Sequence, residues 1–391
     1  MKLVVMGLGQ CGGRVADAFA RLNRRARARR KVDIILDAFA INTDITDLSG
    51  LNTIKANSDH RISIGGQKTH GHGVGKLSEI GADIAKESGD KIVDAVRKTR
   101  GFAEADAILL IAGASGGTGS GAIAELTRQL KERYFDKPVY NFIVLPFQQE
   151  EKTEARTIYN TAVCLKSVYL VADAVFLVDN QRYVNKDITI INNLMDINER
   201  LVQPFYNLLC AGEERVAQYV GAKVVDAGDI TETLAGWTVL GEGRTNISRG
   251  AFSFGKSSNF RGRAIEDSRG TRAMDEALGE LSLTCDPRDA RRGLFLVSAP
   301  RDEINMGMLS DVAGSLRAVA PNALIRYGDY PRTKGSLDVA VLLSEFTRVQ
   351  KITNYFNRAI ELIKLVKARQ GRIDYADRKI EDIFEDIPVL L

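Results

Sequence analysis

The first half of the chain alternates short apolar runs with longer segments in which apolar residues recur at helical spacing. The runs are KLVVMG at the start, AFAIN from Ala38, AILLIA from Ala107, VYNFIVLP from Val139 and AVFLVD from Ala174. Short continuous apolar runs predict strands buried on both faces, and helical segments between them predict crossovers, so the fold class is α/β with a parallel sheet. In such sheets ligands bind beyond the carboxyl ends of the strands. Each run is followed by a loop rich in Gly, Asn, Asp or Gln, and these loops are the expected site. A long helix is predicted from Asn192 to about Tyr219, with Pro204 as a candidate kink. Beyond it, GLFLVSAP from Gly293, ALIRYGDY from Ala323 and LDVAVLLSEF from Leu337, with the helix-like MGMLSDVAGSLRAVA, predict a smaller α+β domain. The stretch Gly241 to Asp267, rich in Gly, Ser and Arg, reads as loop and edge strand. The expected organisation is a sheet domain over 1–191, a connecting helix over 192–221, a second domain over 222–345 and a helical tail over 346–391.

Composition narrows the partners. With 391 residues, 45% hydrophobic and 27% charged, the chain can bury a full core. A net charge of +4 is small for this length and argues against a nucleic-acid partner. The four cysteines, Cys11, Cys164, Cys210 and Cys285, are far apart and form no CxxC pair, which predicts a reducing, cytoplasmic setting. The immediate strand leaves no room for a signal peptide, and no apolar run approaches the roughly 20 residues of a transmembrane helix. One local exception is ARLNRRARARRK, residues 20 to 31, with six arginines, one lysine and no acid. It reads either as the solvated end of the first helix or as a docking patch for an acidic or membrane-associated partner.

Two glycine loops carry the chemistry. GLGQCGGR, residues 7 to 14, follows LVVM and places Gly7, Gly9 and Gly12 in the spacing G-x-G-x-x-G. A strand that passes through glycines into a helix aims backbone N–H groups and the helix dipole at an anion. That pattern alone also suits an NAD-dependent oxidoreductase. A second loop, GASGGTGSGA at 113 to 122, follows AILLIA and lacks the lysine of a G-x-x-x-x-G-K-[ST] loop. Its N–H groups can surround a phosphate chain, with Thr118 and Ser120 hydroxyls as added donors. A dinucleotide-binding dehydrogenase does not require a second cradle on that strand.

SGGTGSG, Ser115 to Gly121, resembles the signature loop of the tubulin/FtsZ superfamily of GTPases, and GLGQCGG resembles that superfamily's first phosphate loop. NTD at Asn42 to Asp44, GHGVG at Gly71 to Gly75, VDN at Val178 to Asn180 and VVDAGD at Val224 to Asp229 match in the same order. MKLVVMGLGQCGGRV, HGHGVGK and LLCAGEE look most like the archaeal CetZ group. The resemblance implies GTP and GDP as ligands with Mg²⁺, head-to-tail self-assembly into protofilaments, and a role in cell shape or related cytoskeletal organisation.

It also implies residue roles. The phosphates would lie over Gly9, Gln10, Cys11, Gly73, Gly116, Gly117, Thr118, Gly119 and Ser120. Guanine would be met by Asn180 and Asn198, Asn42 matches the family's second-strand asparagine in the nucleotide site, and Glu150 or Glu154 would fill the ribose role in the lengthened loop QQEEKTEAR, with Arg156 on the γ-phosphate side. Asp226 and Asp229 match the acidic pair that reaches the GTP of the next subunit. Two departures stand out: Leu194 replaces an aromatic ring that stacks on the base, and Val224 replaces the asparagine usual in bacterial FtsZ. His70 and His72 fall short of a closed metal site. An oxidoreductase using GLGQCGG and a polymer scaffold without turnover remain the alternatives.

Overall fold

Every residue of Leu3–Leu8 (β1), Val139–Leu145 (β5) and Ala174–Asp179 (β6) is buried, as is Ala107–Gly113 (β4) apart from its final glycine. These are the apolar runs, and their lack of alternation follows from burial on both faces. The computed structural model describes residues 1–184, 190–247, 260–333, 335–369 and 387–390, with backbone alone at 190–196, 260–267 and 366–369. The chain forms two compact units, one of Lys2–Arg21, Ile35–Arg200 and Arg348–Leu391, the other of Met1, Leu22–Ile34 and Leu201–Thr347.

In the first unit, Ile35–Asn42 (β2) and Arg61–Ser63 (β3) complete a wholly parallel sheet in the order β3-β2-β1-β4-β5-β6. The order reverses direction between β1 and β4, which opens a crevice at the carboxyl ends of those two strands. The helices of this unit are Gly9–Arg30 (α1, to Arg21), Ile45–Ser49 (α2), Gly66–Thr69 (α3), Ser78–Arg97 (α4), Thr118–Arg133 (α5), Gln148–Thr153 (α6), Ala155–Val171 (α7) and the start of Ile190–Ala211 (α8). Further along the chain, Gln350–Arg369 (α12) packs on α7 and is anchored where Tyr355 Oη and Arg358 Nη1 reach Glu151 at 2.5 and 2.7 Å. The remaining expected tail, 370–386, lies outside the described residues.

Buried on α7, the Cys164 thiol is pushed up to about 12 by loss of hydration alone. In the unfolded chain the thiol ionises near its ordinary value of 9.0, so above that pH the unfolded state binds fewer protons and stability falls until the folded thiol ionises. The slope is about 1.4 kcal/mol per pH unit for one thiol. Cys164→Ala is therefore expected to flatten the decline in unfolding free energy between pH 9 and 12 by one proton, measured by denaturant titration; an unchanged slope would show that this thiol ionises freely in the fold.

The second unit holds Gly236–Asn246 (β7), Arg292–Ser298 (β8), Leu324–Asp329 (β9) and Ser336–Phe346 (β10) in the order β7-β10-β8-β9, with β10 antiparallel to β7 and β8, and β9 parallel to β8. Besides the end of α1 and the rest of α8, its helices are Ala227–Thr233 (α9), Phe260–Gly279 (α10) and Met306–Val319 (α11). The expected loop and edge strand over Gly241 to Asp267 is corrected here: β7 runs eleven residues to Asn246, and α10 begins at Phe260. The glycines mislead because they belong to a helix–sheet contact. A Cβ on Gly241 would stand 2.1 Å from Ala277 O, and one on Gly243 would stand 2.0 Å from Ala273 O, so α10 lies directly on the strand backbone. Residues 248–259 of that stretch are outside the described set.

The long helix also ends earlier than its periodicity suggests. α8 runs through Pro204 and stops at Ala211, and only a 3₁₀ turn follows at Ala217–Tyr219. Gly212 succeeds the last helical residue, a common stop. The buried Glu214 carboxylate then accepts the N–H groups of Arg215 and Val216 at 3.2 and 3.3 Å, which bends the backbone away from helix.

Candidate active site

A pocket of about 420 Å³ opens at the carboxyl end of the parallel sheet, in the crevice where strand order reverses. Its floor is the two glycine loops. Gly9, at φ +68°, and Gly119 approach so closely that a Cβ on Gly9 would meet Gly119 N at 3.0 Å, and one on Gly119 would meet Leu8 O at 2.7 Å. The first turns of α1 and α5 are thereby brought side by side, with their unpaired N–H groups and helix dipoles at one place. The buried hydroxyls of Thr43 and Thr118 lie 2.7 Å apart and tie the loop after β2 to the second glycine loop. Behind the loops, buried Asn160 of α7 donates to Lys76 O at 2.8 Å and to Ser115 O and Gly116 O at 3.1 Å, while its Oδ1 accepts from Ser78 Oγ at 3.0 Å. One side chain thus holds two pocket loops in register.

The pocket is electrostatically mixed. Asp47 of α2 accepts Gln10 Nε2 at 2.6 Å and Asn42 Nδ2 at 3.0 Å, which fixes the orientation of both amides and leaves each a second N–H. Asp44 caps α2 by accepting the N–H groups of Thr46 and Asp47. Glu150 accepts from Ser115 Oγ at 3.2 Å. Burial, and then the Glu150 carboxylate, push the Cys11 thiol up to about 12, so Cys11 meets a ligand as a neutral group. Arg14 and Lys76 supply positive charge at the rim. At the other end stand the half-buried amides of Asn180, just after β6, and Asn198 on α8.

In the second unit, Asp226 is the N-cap of α9 and forms a capping box with Asp229: Asp226 Oδ1 accepts Asp229 N at 2.9 Å, and Asp229 Oδ2 accepts Asp226 N at 3.3 Å. Asp229 also faces Arg326 Nε at 3.5 Å, whereas Asp226 is exposed. The preceding loop is pinned to the end of β9. The buried Asp329 carboxylate accepts the N–H groups of Ala222 and Lys223 at 3.0 and 2.6 Å, and a Cβ on Gly221 would stand 2.1 Å from Asp329 O. The two acids are therefore presented on a braced loop.

Two family models cover most of the chain in succession: the tubulin/FtsZ family GTPase domain over residues 2–186 and the tubulin-like CetZ C-terminal domain over 189–361. The tubulin-like protein CetZ5 of Haloferax volcanii is 31% identical over 97% of this chain and 96% of its own length. The chain belongs to the tubulin/FtsZ family, in its CetZ branch. Among solved structures, CetZ1 from Haloferax volcanii, a GDP-bound monomer, is similar with a TM-score of 0.79 and 28% identity over 93% of this chain and all of that one. CetZ2 from the same organism, a GTPγS-bound protofilament, has a TM-score of 0.79 and 29% identity over 94% of this chain and all of its own.

Of the residues singled out from sequence in this CetZ chain, Gly9, Gln10, Cys11, Asn42, Gly73, Gly116, Gly117, Thr118, Gly119, Glu150, Asn180 and Asn198 line the one pocket. Ser120 does not: it is buried, and its hydroxyl donates to Gly116 O within its own loop. Glu154 pairs with Lys76 Nζ at 2.6 Å, and Arg156 pairs with Glu79 and lies over the Tyr159 ring, so neither lines the pocket. No cluster of three metal-ligating side chains occurs among the described residues. The side chain of Leu194 lies outside the described residues; among the described lining residues the one aromatic is Phe147. Sequence reading missed Arg14, Asp47, Lys76 and Phe147 as lining residues and Asn160 as the brace. Arg14, Lys76 and Phe147 carry a local signal, since each lies in or directly abuts a loop already singled out.

Proposed function

We propose that the chain is a cytoskeletal GTPase that binds GTP in this pocket, assembles head to tail into protofilaments and hydrolyses GTP between subunits. The observation that carries the reading is the backbone contact of two glycine loops, on β1 and β4, at one end of a pocket whose other end offers two asparagine amides. The loop N–H groups suit a polyphosphate chain, and a carboxamide can accept from guanine N1–H or N2–H while donating to O6. The GTPγS-bound protofilament of CetZ2 supports assembly with the nucleotide in place. A heterologous contact that does not close produces an open filament, which fits a role in cell shape.

Mg²⁺ suits the donor set on the α2 side, where Asp44 and Asp47 offer hard carboxylate oxygens beside the phosphate loops. Bound there, it would neutralise charge on the phosphates. Asp226 and Asp229, on the braced loop, are assigned to the neighbour's nucleotide, with Asp226 orienting and polarising the attacking water and Asp229 held by the capping box and Arg326. Such positioning is the main protein contribution to phosphoryl transfer.

The test is sedimentation with GTP, GTPγS, GDP, ATP and NAD in parallel. Polymer is expected with GTP and GTPγS alone. Equal pelleting with ATP, or NAD binding in the pocket, would overturn the reading, and pelleting with GTP without phosphate release would reduce it to a scaffold.

A further inference from the structure

The arginine-rich end of α1 is not used by the nucleotide pocket. In the second unit it forms one wall of a separate cavity of about 390 Å³, close in size to the nucleotide pocket. Four guanidinium groups line it: Arg25, Arg29 and Arg30 from α1, and Arg332 from the segment after β9. The acids nearby are already engaged. Asp338, also in the wall, accepts Arg244 Nε at 2.8 Å. Glu214, fully buried, faces both Arg30 and Arg332 at 3.6 and 3.7 Å while accepting from Tyr330 Oη at 3.1 Å.

One carboxylate thus serves two largely buried guanidinium groups. Arg30 also donates to Tyr330 Oη, and Arg332 stacks on the Tyr330 ring at 3.8 Å, so both cations are held in place. Burial, together with the charge of Arg30, pushes the Arg332 guanidinium down from its ordinary value, although Tyr330, Cys210 and Glu214 act in the opposite direction. Arg29 stands exposed at the cavity with no ion pair among the described residues. A concave site with surplus fixed positive charge concentrates anions, and guanidinium forks match phosphate oxygens in pairs.

We propose that this cavity is a second anion site, which takes a small polyphosphate, either inorganic or the phosphate chain of a nucleoside polyphosphate. A membrane surface fits less well, because Arg30 and Arg332 are only 18% and 13% exposed and sit inside the cavity. By contrast, Arg24 and Arg27 on the same helix are exposed and do not line it.

The experiment is calorimetric titration of inorganic tripolyphosphate, and separately of ATP, into full-length protein saturated with GDP. The preceding GDP titration reports on the nucleotide-pocket reading by itself, so its failure is seen separately. One tripolyphosphate per chain is expected, weakened about tenfold by Arg29→Ala, the scale of one lost charge-assisted contact. Arg24→Ala, on the same helix, is expected to bind as wild type. ATP binding equal to tripolyphosphate identifies the phosphate chain as the whole ligand, and tighter ATP binding adds its nucleoside; either upholds the site. No saturable binding, equal weakening by Arg24→Ala and Arg29→Ala, or sedimentation with anionic phosphatidylglycerol vesicles in place of tripolyphosphate binding would overturn it.

Discussion

Asp226→Asn is expected to lower GTP turnover by roughly 10²-fold while leaving the GTP affinity of single subunits nearly unchanged, the scale of lost general-base or positioning help. Asparagine is the right replacement because Asp226 is the N-cap of α9. Alanine there would also cost about 1 kcal/mol of helix capping, whereas asparagine caps as well as aspartate and removes only the charge. The loop should hold its shape, since Asp329 and Gly221 brace it independently of the Asp226 side chain. Filaments of the variant should form with GTP and disassemble more slowly than wild type, because the step that weakens the contact is slowed. Phosphate release and sedimentation measured on the same samples check this; a variant that hydrolyses at the wild-type rate removes Asp226 from the reaction.

Asn198→Asp is expected to weaken GTP binding by about 5- to 150-fold, corresponding to roughly 1 to 3 kcal/mol for an unpaired buried polar group. The change replaces an amide that can both donate and accept with a group that only accepts, and so leaves guanine O6 without its donor. Asn180 lines the same end of the pocket and keeps its own amide, so some guanine preference should survive in the single variant. Nucleotide competition with GTP and ATP measures it. An Asn198→Asp protein with wild-type GTP affinity would place base recognition elsewhere in the pocket.

What was legible in the sequence was set by burial and by glycine. β1, β4, β5 and β6 read directly because their residues are buried on both faces, which leaves continuous apolar runs. The two phosphate loops read directly because close backbone contact, as at Gly9 and Gly119, tolerates almost no side chain. The same logic hid β7 and α10, where Gly241 and Gly243 serve helix-on-strand packing and mimic a loop. The link from Asp47 to Gln10 and the bracing by Asn160 were illegible because those partners are distant in sequence. Asp47 orients Gln10 from 37 residues away, and Asn160 braces loops 44 to 84 residues before it. The end of α8 was missed because apolar spacing continues past it: Gly212 marks the stop in the sequence, and the buried Glu214 turning its carboxylate onto the next two N–H groups completes it, which apolar spacing does not encode.

The shared-site account is tested most directly by phosphate release from wild-type protein at fixed GTP over a protein dilution series. If one subunit's acidic loop completes its neighbour's pocket, the rate per subunit should be near zero in dilute protein and rise with assembly, so that total turnover climbs more steeply than linearly with concentration. A rate per subunit that stays constant across the series would mean that each pocket is complete within one chain.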